Sequence, residues 1–450
     1  MEGEWAPVVL EDLVEVKHGF AFPGEFFSDE PPGDVLLTPG NFAIGGGFKD
    51  DKFKYYRGPV SDDFVLAPGD LLVTMTDLSK ASDTLGYPAL VPESTHRFLH
   101  NQRIGKIEFK PNAGLDLHFL YYLLCTREYR DEVLASATGT TVKHTSPTRI
   151  GKFGFGRPSL DKQQAIAYTL RVLDDKIELN KKMNETLEAM ARALFKSWFV
   201  DFDPVRAKAE GRDPSLPAHI AALFPDSFED SILNEIPMGW RATTLGAETE
   251  RHGGRIQTGP FGSQLHASDY SEKGVPVVMP QDISNRRVST ARIARIREFD
   301  AKRLSRHRLE AGDIIYSRRG DVERHAQISS MEAGWLCGTG CLLVRMGPRW
   351  PTSMFISLAL DRAETRSWIT QHAIGATMPN LNTGILSAVP LVVPPDDLLR
   401  EFSRLVAPIE RLISARNEES LTLAELRDSL LPRLISGEIP ISGVQRNQGA

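Results

Sequence analysis

Arginine crowds one stretch of the chain. Arg286, Arg287, Arg292, Arg295, Arg297, Arg303, Arg306, Arg308, Arg318, Arg319 and Arg324 lie there with Lys302. Glu298, Asp300, Glu310, Asp313, Asp321 and Glu323 offset only part of that charge. A charged run is usually a solvated face with local ion pairs. Here arginine outnumbers lysine, and its planar fork suits guanine edges and phosphates. Ser317-Arg318-Arg319-Gly320-Asp321 follows an apolar strand and reads as a loop with donors at its tip. The cluster therefore points to DNA contact, with Arg286, Arg287, Arg292, Arg303, Arg306, Arg318, Arg319 and Arg324 as candidates. The first half of the chain is thinner in charge. Lys49, Lys52, Lys54 and Arg57 sit between glycines and aromatics, followed by Lys80 and then by Lys143 and His144. Each of these also fits a plain surface role.

Other chemistries leave no mark. Gly105-Lys106 and Gly151-Lys152 are each followed by the wrong residue for a phosphate loop. Glu30-Pro31-Pro32-Gly33 lacks both ends of the Asn/Asp-Pro-Pro-aromatic segment of amino-methyltransferases. Gly-x-Ser-x-Gly, His-Glu-x-x-His and kinase-loop patterns are missing. Cys337 and Cys341 are spaced like half a zinc site, but no second ligand pair lies near them, and buried small hydrophobes are the better reading. The eleven histidines are scattered. The expectation is a chain that catalyses nothing by itself and carries no cofactor or metal.

A composition of 41% hydrophobic and 25% charged residues is ordinary for a globular protein, and 450 residues suggest two or three domains. The net charge of −6 argues against a generally basic nucleic-acid binder. Three cysteines cannot form a disulfide framework, which fits a reducing cytoplasm. No signal peptide and no membrane span are expected.

The element that must position these residues is the run from Asp161 to Phe199. It holds no Gly or Pro and is rich in Ala, Leu, Lys, Glu and Gln. Ile166, Leu170, Leu173, Ile177, Leu187, Leu194 and Trp198 recur at alternating spacings of three and four, a narrow seam that packs against one other helix. Asn180 and Asn184 interrupt the seam, and a buried Asn fixes register. At ~1.5 Å per residue the helix would be roughly 58 Å long, a spacer in need of a partner.

That partner lies in the same chain. One constant shift of the sequence along itself places the pairing residues Ile166, Leu170, Leu173, Ile177, Leu187 and Leu194 on Phe402, Val406, Ile409, Ile413, Leu423 and Leu430. The same shift places Ala137–Thr141 on Ala373–Thr377, Pro158 on Pro394, and the two asparagines on Arg416 and Ser420. Pro408 stands where Val172 does and should kink or open the second helix. A front half repeats more loosely. Trp5 and Leu10 match Trp240 and Leu245, His18–Phe22 resembles Thr258–Gly262, and Leu66–Leu72 resembles Leu309–Ile315.

The expected architecture is two α/β (α+β) globular modules in tandem pseudo-repeat, separated by long helices that form an antiparallel coiled coil. The boundaries are a first module over 1–157 and a spacer helix over 158–200. A Pro-rich acidic linker over 201–239 carries one short helix near Ala218–Leu223. The second module spans 240–395, the second helix 396–437, and a flexible tail 438–450, with Gln445 to Ala450 disordered. Strands are expected at Val35–Thr38, Asp70–Met75, Gly105–Phe109, Val275–Met279, Asp313–Tyr316 and Cys341–Arg345, and helices at Leu117–Ala135 and Met354–Thr370.

This order resembles the specificity subunit of type I restriction-modification enzymes, over nearly the full chain. The resemblance is carried by Leu194-Phe195-Lys196-Ser197-Trp198-Phe199-Val200-Asp201-Phe202-Asp203-Pro204-Val205, Phe224–Phe228, and Ile236–Trp240 leading to Leu245-Gly246. Thr138–Thr141, and Pro158 to Asp174 with Gln163-Gln164, belong to it too. The second copy departs from it, with Leu399-Arg400 for Gln163-Gln164 and Glu410 for Asp174, so that its helix is expected to dock differently. The resemblance implies two target recognition domains, each reading half of a split double-stranded DNA site. It implies two methyltransferase subunits, which use S-adenosylmethionine, and restriction motor-nuclease subunits as partners. Apolar residues outside the seam (Leu179, Met183, Met190, Phe195) are the expected docking surface for the methyltransferase. An antiparallel spacer would set the modules at opposite ends, within reach of two major-groove faces about 34 Å apart. The competing expectations are a coiled-coil scaffold without DNA binding and an enzyme of unrecognised type using the histidines.

Overall fold

The computed structural model describes residues 5–50, 52–77, 79, 82–140, 142–262, 264–290, 293–375 and 378–441. The candidates Lys80 and Arg292, and the tail from Gln445, lie outside the described residues. The chain forms two compact units, Met1–Glu178 with Ser420–Ala450, and Leu179–Glu419. Each unit takes its globular part from one repeat and one stretch from each long helix.

The first unit is centred on an antiparallel four-stranded sheet in the order Val14–His18, Ile104–Phe109, Leu71–Thr74, Pro88–Leu90. Val14 and Val16 point inward while Glu15 and Lys17 face water, the period-two pattern of a half-buried strand. A second sheet of five short strands includes one parallel pair, Asp34–Leu36 with Phe98–Leu99. The stretch expected as one helix is two, Leu117–Leu124 and Arg127–Ser136. The break lies at Thr126, whose hydroxyl donates back to the Leu123 carbonyl at 2.6 Å and accepts the Tyr129 N–H. A Thr that can cap the next helix offers the backbone an alternative to continuing the last one.

The second unit repeats the plan. Its four-stranded antiparallel sheet runs Arg255–Thr258, Cys341–Arg345, Ile314–Ser317, His325–Gln327. Here too the helical stretch is split, into Ser353–Asp361 and Ala363–His372. In each unit the opening strand pairs antiparallel with the strand that leads into a long helix: Ala6–Val9 with Gly154–Arg157, and Arg241–Thr244 with Pro390–Val393.

The segment read as a linker is folded. It forms helices at Asp203–Ala209 and Ala218–Ala221 and a hairpin of Phe228–Ser231 with Asn234–Pro237. Val205, Ile220, Phe224 and Ile236 are buried in the second unit's core. Its prolines mislead because Pro204 sits in a helix's first turn, where a missing N–H costs nothing.

The long helices span Leu160–Phe199 and Asp396–Ile435, 40 residues each. The second runs unbroken through Pro408. Phe402 and Val406, just before it, are fully buried. The helices pair antiparallel in both units. In the first, Ile166 and Leu170 share a core with Leu434, and Asp174 accepts from Arg427 Nη1 at 2.7 Å. In the second, Asn180 Nδ2 donates to Glu419 at 2.8 Å and Asn184 Nδ2 to Asn417 at 2.8 Å. Of the twelve seam positions, Ile166, Leu170, Phe402 and Val406 are buried and the other eight half-buried.

Candidate nucleic-acid interface

Each unit contains the same tight loop. In the first, the Thr138 N–H donates to the His144 carbonyl at 2.9 Å and the His144 N–H returns to Thr138 at 2.8 Å. In the second, Ile374 and Asn380, at the matching positions of the repeat, do the same at 3.0 and 2.9 Å. Gly139 has φ +97°, and a Cβ there would lie 1.9 Å from the Val142 carbonyl oxygen. Gly375 has φ +108°, and its Cβ would lie 2.8 Å from the Met378 carbonyl oxygen. Only glycine fits such a left-handed position pressed against backbone. Both loops run into a capped helix. The Ser146 side chain accepts from the Arg149 N–H and the Asn382 side chain from the Ile385 N–H.

A second loop is zipped onto each of these, continuing from a central strand of the main sheet. In the first unit His144 pairs with Thr76 and Lys143 with Asp77. In the second, Arg319 pairs with Asn380, the Leu381 N–H donates to the Arg318 carbonyl at 2.9 Å, and the Gly320 N–H donates to Pro379 at 3.1 Å. The offset between Leu66–Leu72 and Leu309–Ile315 makes Thr76 the counterpart of Arg319, while His144 is that of Asn380. Burial raises the carboxyl of Asp77, yet hydrogen bonds from Ser79 and Thr84 outweigh it and hold the group below the usual range.

The frame is therefore constant and the tips differ. In the first unit His144 Nδ1 lies 3.1 Å from Thr76 Oγ1, and Arg149 Nη1 donates to Thr138 Oγ1 at 3.2 Å. Lys143 is half-buried beside them. Lys52, Lys54 and Arg57 are not brought into this cluster by any contact among the described residues. The Lys49 N–H donates to Asn41, and Lys52 is exposed. Lys54 lies 5.3 Å over the Phe27 ring and 3.9 Å from Asp29, and Arg57 donates to the carbonyls of Glu30 and Pro32.

In the second unit most of the arginines are engaged within the fold, which corrects the reading of their number as free charge. Arg286 donates to Ser357 Oγ at 2.9 Å, and burial pushes its guanidinium below the usual arginine range. Arg287 ties a hairpin to both helices through Glu188 and Asn417. Arg303 binds the Gln264 carbonyl, Asp269 and Asp300; Arg306 binds Gln257; Arg324 binds Asp321. Arg318 donates to the Leu381 carbonyl and lies 5.3 Å over the half-exposed ring of Phe261. Arg319 is exposed, and its guanidinium has no partner among the described residues. The i,i+3 partners Asp300 and Asp321 were readable in the sequence. Asn380, which pairs with Arg319, is not distinguished by its residue type alone, although the shift that aligns the long helices also pairs it with His144.

Cys337 and Cys341 are fully buried, and burial raises both thiols. Among the described residues no group of three or more His, Cys, Asp or Glu could hold a metal ion, and no helix is long and apolar enough to cross a membrane. On the first long helix Leu179, Met183 and Met190 are exposed. Phe195 is not: it is buried against Phe199 and Phe355.

Comparison with known proteins agrees with this double construction. Residues 2–189 match the family described as "Type I restriction modification DNA specificity domain". The chain is 28% identical over 375 residues to the type I restriction enzyme HindI specificity subunit of Haemophilus influenzae, covering 73% of this chain and 79% of the relative. It is 25% identical over 331 residues to the MjaIX specificity subunit of Methanocaldococcus jannaschii, covering 74% and 71%. Over 445 residues it is 21% identical to the EcoBI specificity subunit of Escherichia coli, covering 97% and 86%. A crystal structure of a type I restriction-modification S subunit from M. genitalium shares the fold, with a TM-score of 0.52 at 18% identity over 97% of both chains. With its paired units and long helices, the chain is similar over most of its length to specificity subunits of type I restriction-modification systems.

Proposed function

We propose that this subunit reads a split double-stranded DNA site, one half with each unit, and catalyses neither methylation nor cleavage. The observation that carries this reading is the zipped loop pair built twice on one frame, with Thr76 and His144 at one tip and Arg319 and Asn380 at the other. A constant frame with changed tips is what two different half-sites require, since base edges are read by a few side chains held on rigid backbone. In this reading Lys143, His144, Arg318 and Arg319 are the nearest contacts, and Lys52 and Arg306 serve at phosphates.

In the same reading, the 40-residue helices, about 60 Å long at ~1.5 Å per residue, are the spacer between half-sites. Methyltransferase subunits would dock over the exposed Leu179, Met183 and Met190, and restriction subunits would join that complex. Apolar side chains left on a helix surface support a partner there.

The test is a swap of residues 1–157 for those of another specificity subunit, followed by sequencing of the methylated sites in cells. One half of the motif should change and the other should stay. A swap that rewrites both halves, or neither, overturns the reading.

A further inference from the structure

We infer that Arg319 reads a guanine in the half-site recognised by the second unit. The inference rests on the DNA-reading role proposed above and names the base and the residue.

Four observations converge on this side chain. First, among the described arginines of the cluster it is the one whose guanidinium is unpartnered; Arg286, Arg287, Arg303, Arg306, Arg318 and Arg324 are each held by a named group. Second, its backbone is fixed. Ser317 Oγ donates to the Arg319 carbonyl at 3.2 Å, and the flanking residues are hydrogen-bonded to Pro379 and Leu381. A fixed backbone leaves only the side chain's rotamer freedom to be lost on binding. Third, its strand partner is Asn380, directly opposite across the zipped loops. Arginine and asparagine are the two side chains that bind purine edges bidentately, guanine and adenine respectively. Fourth, the loop closed by Asn380 exposes Ile374 and Met378, at 59% and 65%, an apolar surface of the kind that meets a thymine methyl.

The first unit lacks this arrangement. Its counterpart of Arg319 is Thr76, whose hydroxyl is already bound to His144. The two tips should therefore differ in base preference, with the guanine requirement confined to the second half-site.

The experiment uses the full chain with a library of duplexes randomised over both half-sites, sequenced after selection, for wild type, Arg319→Ala and Arg319→Lys. Wild type should enrich a split motif with a guanine at one position of the second half-site. Arg319→Ala should lose the preference at that position alone, with affinity for the guanine-containing duplex falling on the order of 10- to 100-fold. Arg319→Lys should retain part of the preference. Because Arg319 is exposed and unpaired, the variants should melt as wild type does, and a matching melting curve accompanies each selection. Uniform weakening on every duplex would make Arg319 a phosphate contact and overturn the inference while leaving the proposed function standing. An unchanged motif in Arg319→Ala would overturn it in the same way. No enriched motif in wild type would remove both.

Discussion

The two long helices end differently, although their ends correspond in the repeat. Phe195, Trp198 and Phe199 close the first helix; Leu431, Leu434 and Ile435 hold the same positions at the close of the second. In the second unit the aromatic end meets Phe224, Trp240, Phe355 and Phe402, with ring centroids 5.0 to 6.3 Å apart. The folded segment 201–239 covers it with Val205, Ile220 and Phe224. In the first unit the aliphatic end packs with Ile439 and Trp5 beside a cavity of about 550 Å³ lined by Trp5, Ile166, Ile435 and Ile439. One repeat thus completes its core in two ways, the first helix closing against the folded segment 201–239 and the second against Trp5 and Ile439.

The largest expected effect separates these two ends. Trp198→Ala should cost the second unit about 3–5 kcal/mol, since a fully buried aromatic leaves a void that its ring neighbours cannot fill. Leu434→Ala, the counterpart, should cost the first unit about 2–3 kcal/mol, because the residue is smaller. Hydrogen exchange followed by mass spectrometry reports each unit separately. Equal or reversed losses would mean that the aromatic closure is not what stabilises the second unit.

The next comparison concerns two corresponding carboxylates. Asp174 accepts from Tyr122 Oη at 2.6 Å and from Arg427. Glu410 accepts from the neutral Gln327 at 2.7 Å, and burial raises its carboxyl above the ordinary range, with Arg286 opposing that rise. A carboxyl whose folded pKa is raised binds its proton more tightly when folded. It weighs least on stability below its unfolded value near 4.5 and destabilises as pH climbs through the raised folded value. Glu410→Gln should therefore stabilise the second unit at pH 7, with a gain that vanishes in acid. Arg286 keeps Glu188 and Asp361 as countercharges. Asp174→Asn should instead destabilise the first unit by about 1–2 kcal/mol at pH 7, through loss of a charge-assisted bond to half-buried Arg427. Urea melts across pH give both signs; a loss from Glu410→Gln at pH 7 would show that its charge is needed.

The sequence carried the frame well and the details unevenly. The repeat, both helices and the central strands were legible because apolar spacing and glycine-rich turns are local signals. Cys341–Arg345 falls on the expected residues, and Asp70–Met75 brackets the observed Leu71–Thr74. What escaped depends on groups far apart in sequence. Thr126 and Arg362 break helices that periodicity alone would continue. The segment 201–239 folds because a waiting aromatic cluster gives Val205 and Phe224 something to bury against. Arg287 is held by Glu188 and Asn417, both distant from it in sequence. At the interface the arginine-rich loop was readable, whereas its pairing with Asn380 was hidden behind two different repeat offsets.

The smallest effect tests the polar layer where the helices cross in the second unit. Asn180 is fully buried, donates to Glu419 and accepts from Arg416 Nη1 at 3.4 Å. Asn184 donates to Asn417 Oδ1, which also accepts from Arg287 at 3.0 Å. The two asparagines look equivalent in the seam but differ in what their loss leaves behind. Asn180→Leu removes a donor from the Glu419 carboxylate and an acceptor from Arg416, whose Nε already lacks a partner. Removing these bonds from charged groups at a helix contact should cost about 1–2 kcal/mol, only partly offset by the leucine's added apolar burial. Asn184→Leu strands less, because Arg287 still satisfies Asn417, and it should fall within about 0.5 kcal/mol of wild type. Neither replacement is neutral for specificity, since a buried amide admits one helix register where leucine tolerates several. Paired urea melts and exchange rates of amides in Leu179–Phe199 separate the two effects. The expected pattern is a lower midpoint for Asn180→Leu, and for Asn184→Leu a near-normal midpoint with faster exchange. If Asn184→Leu proves the more damaging, the bond from Arg287 does not hold Asn417, and that hairpin is not braced against the helices.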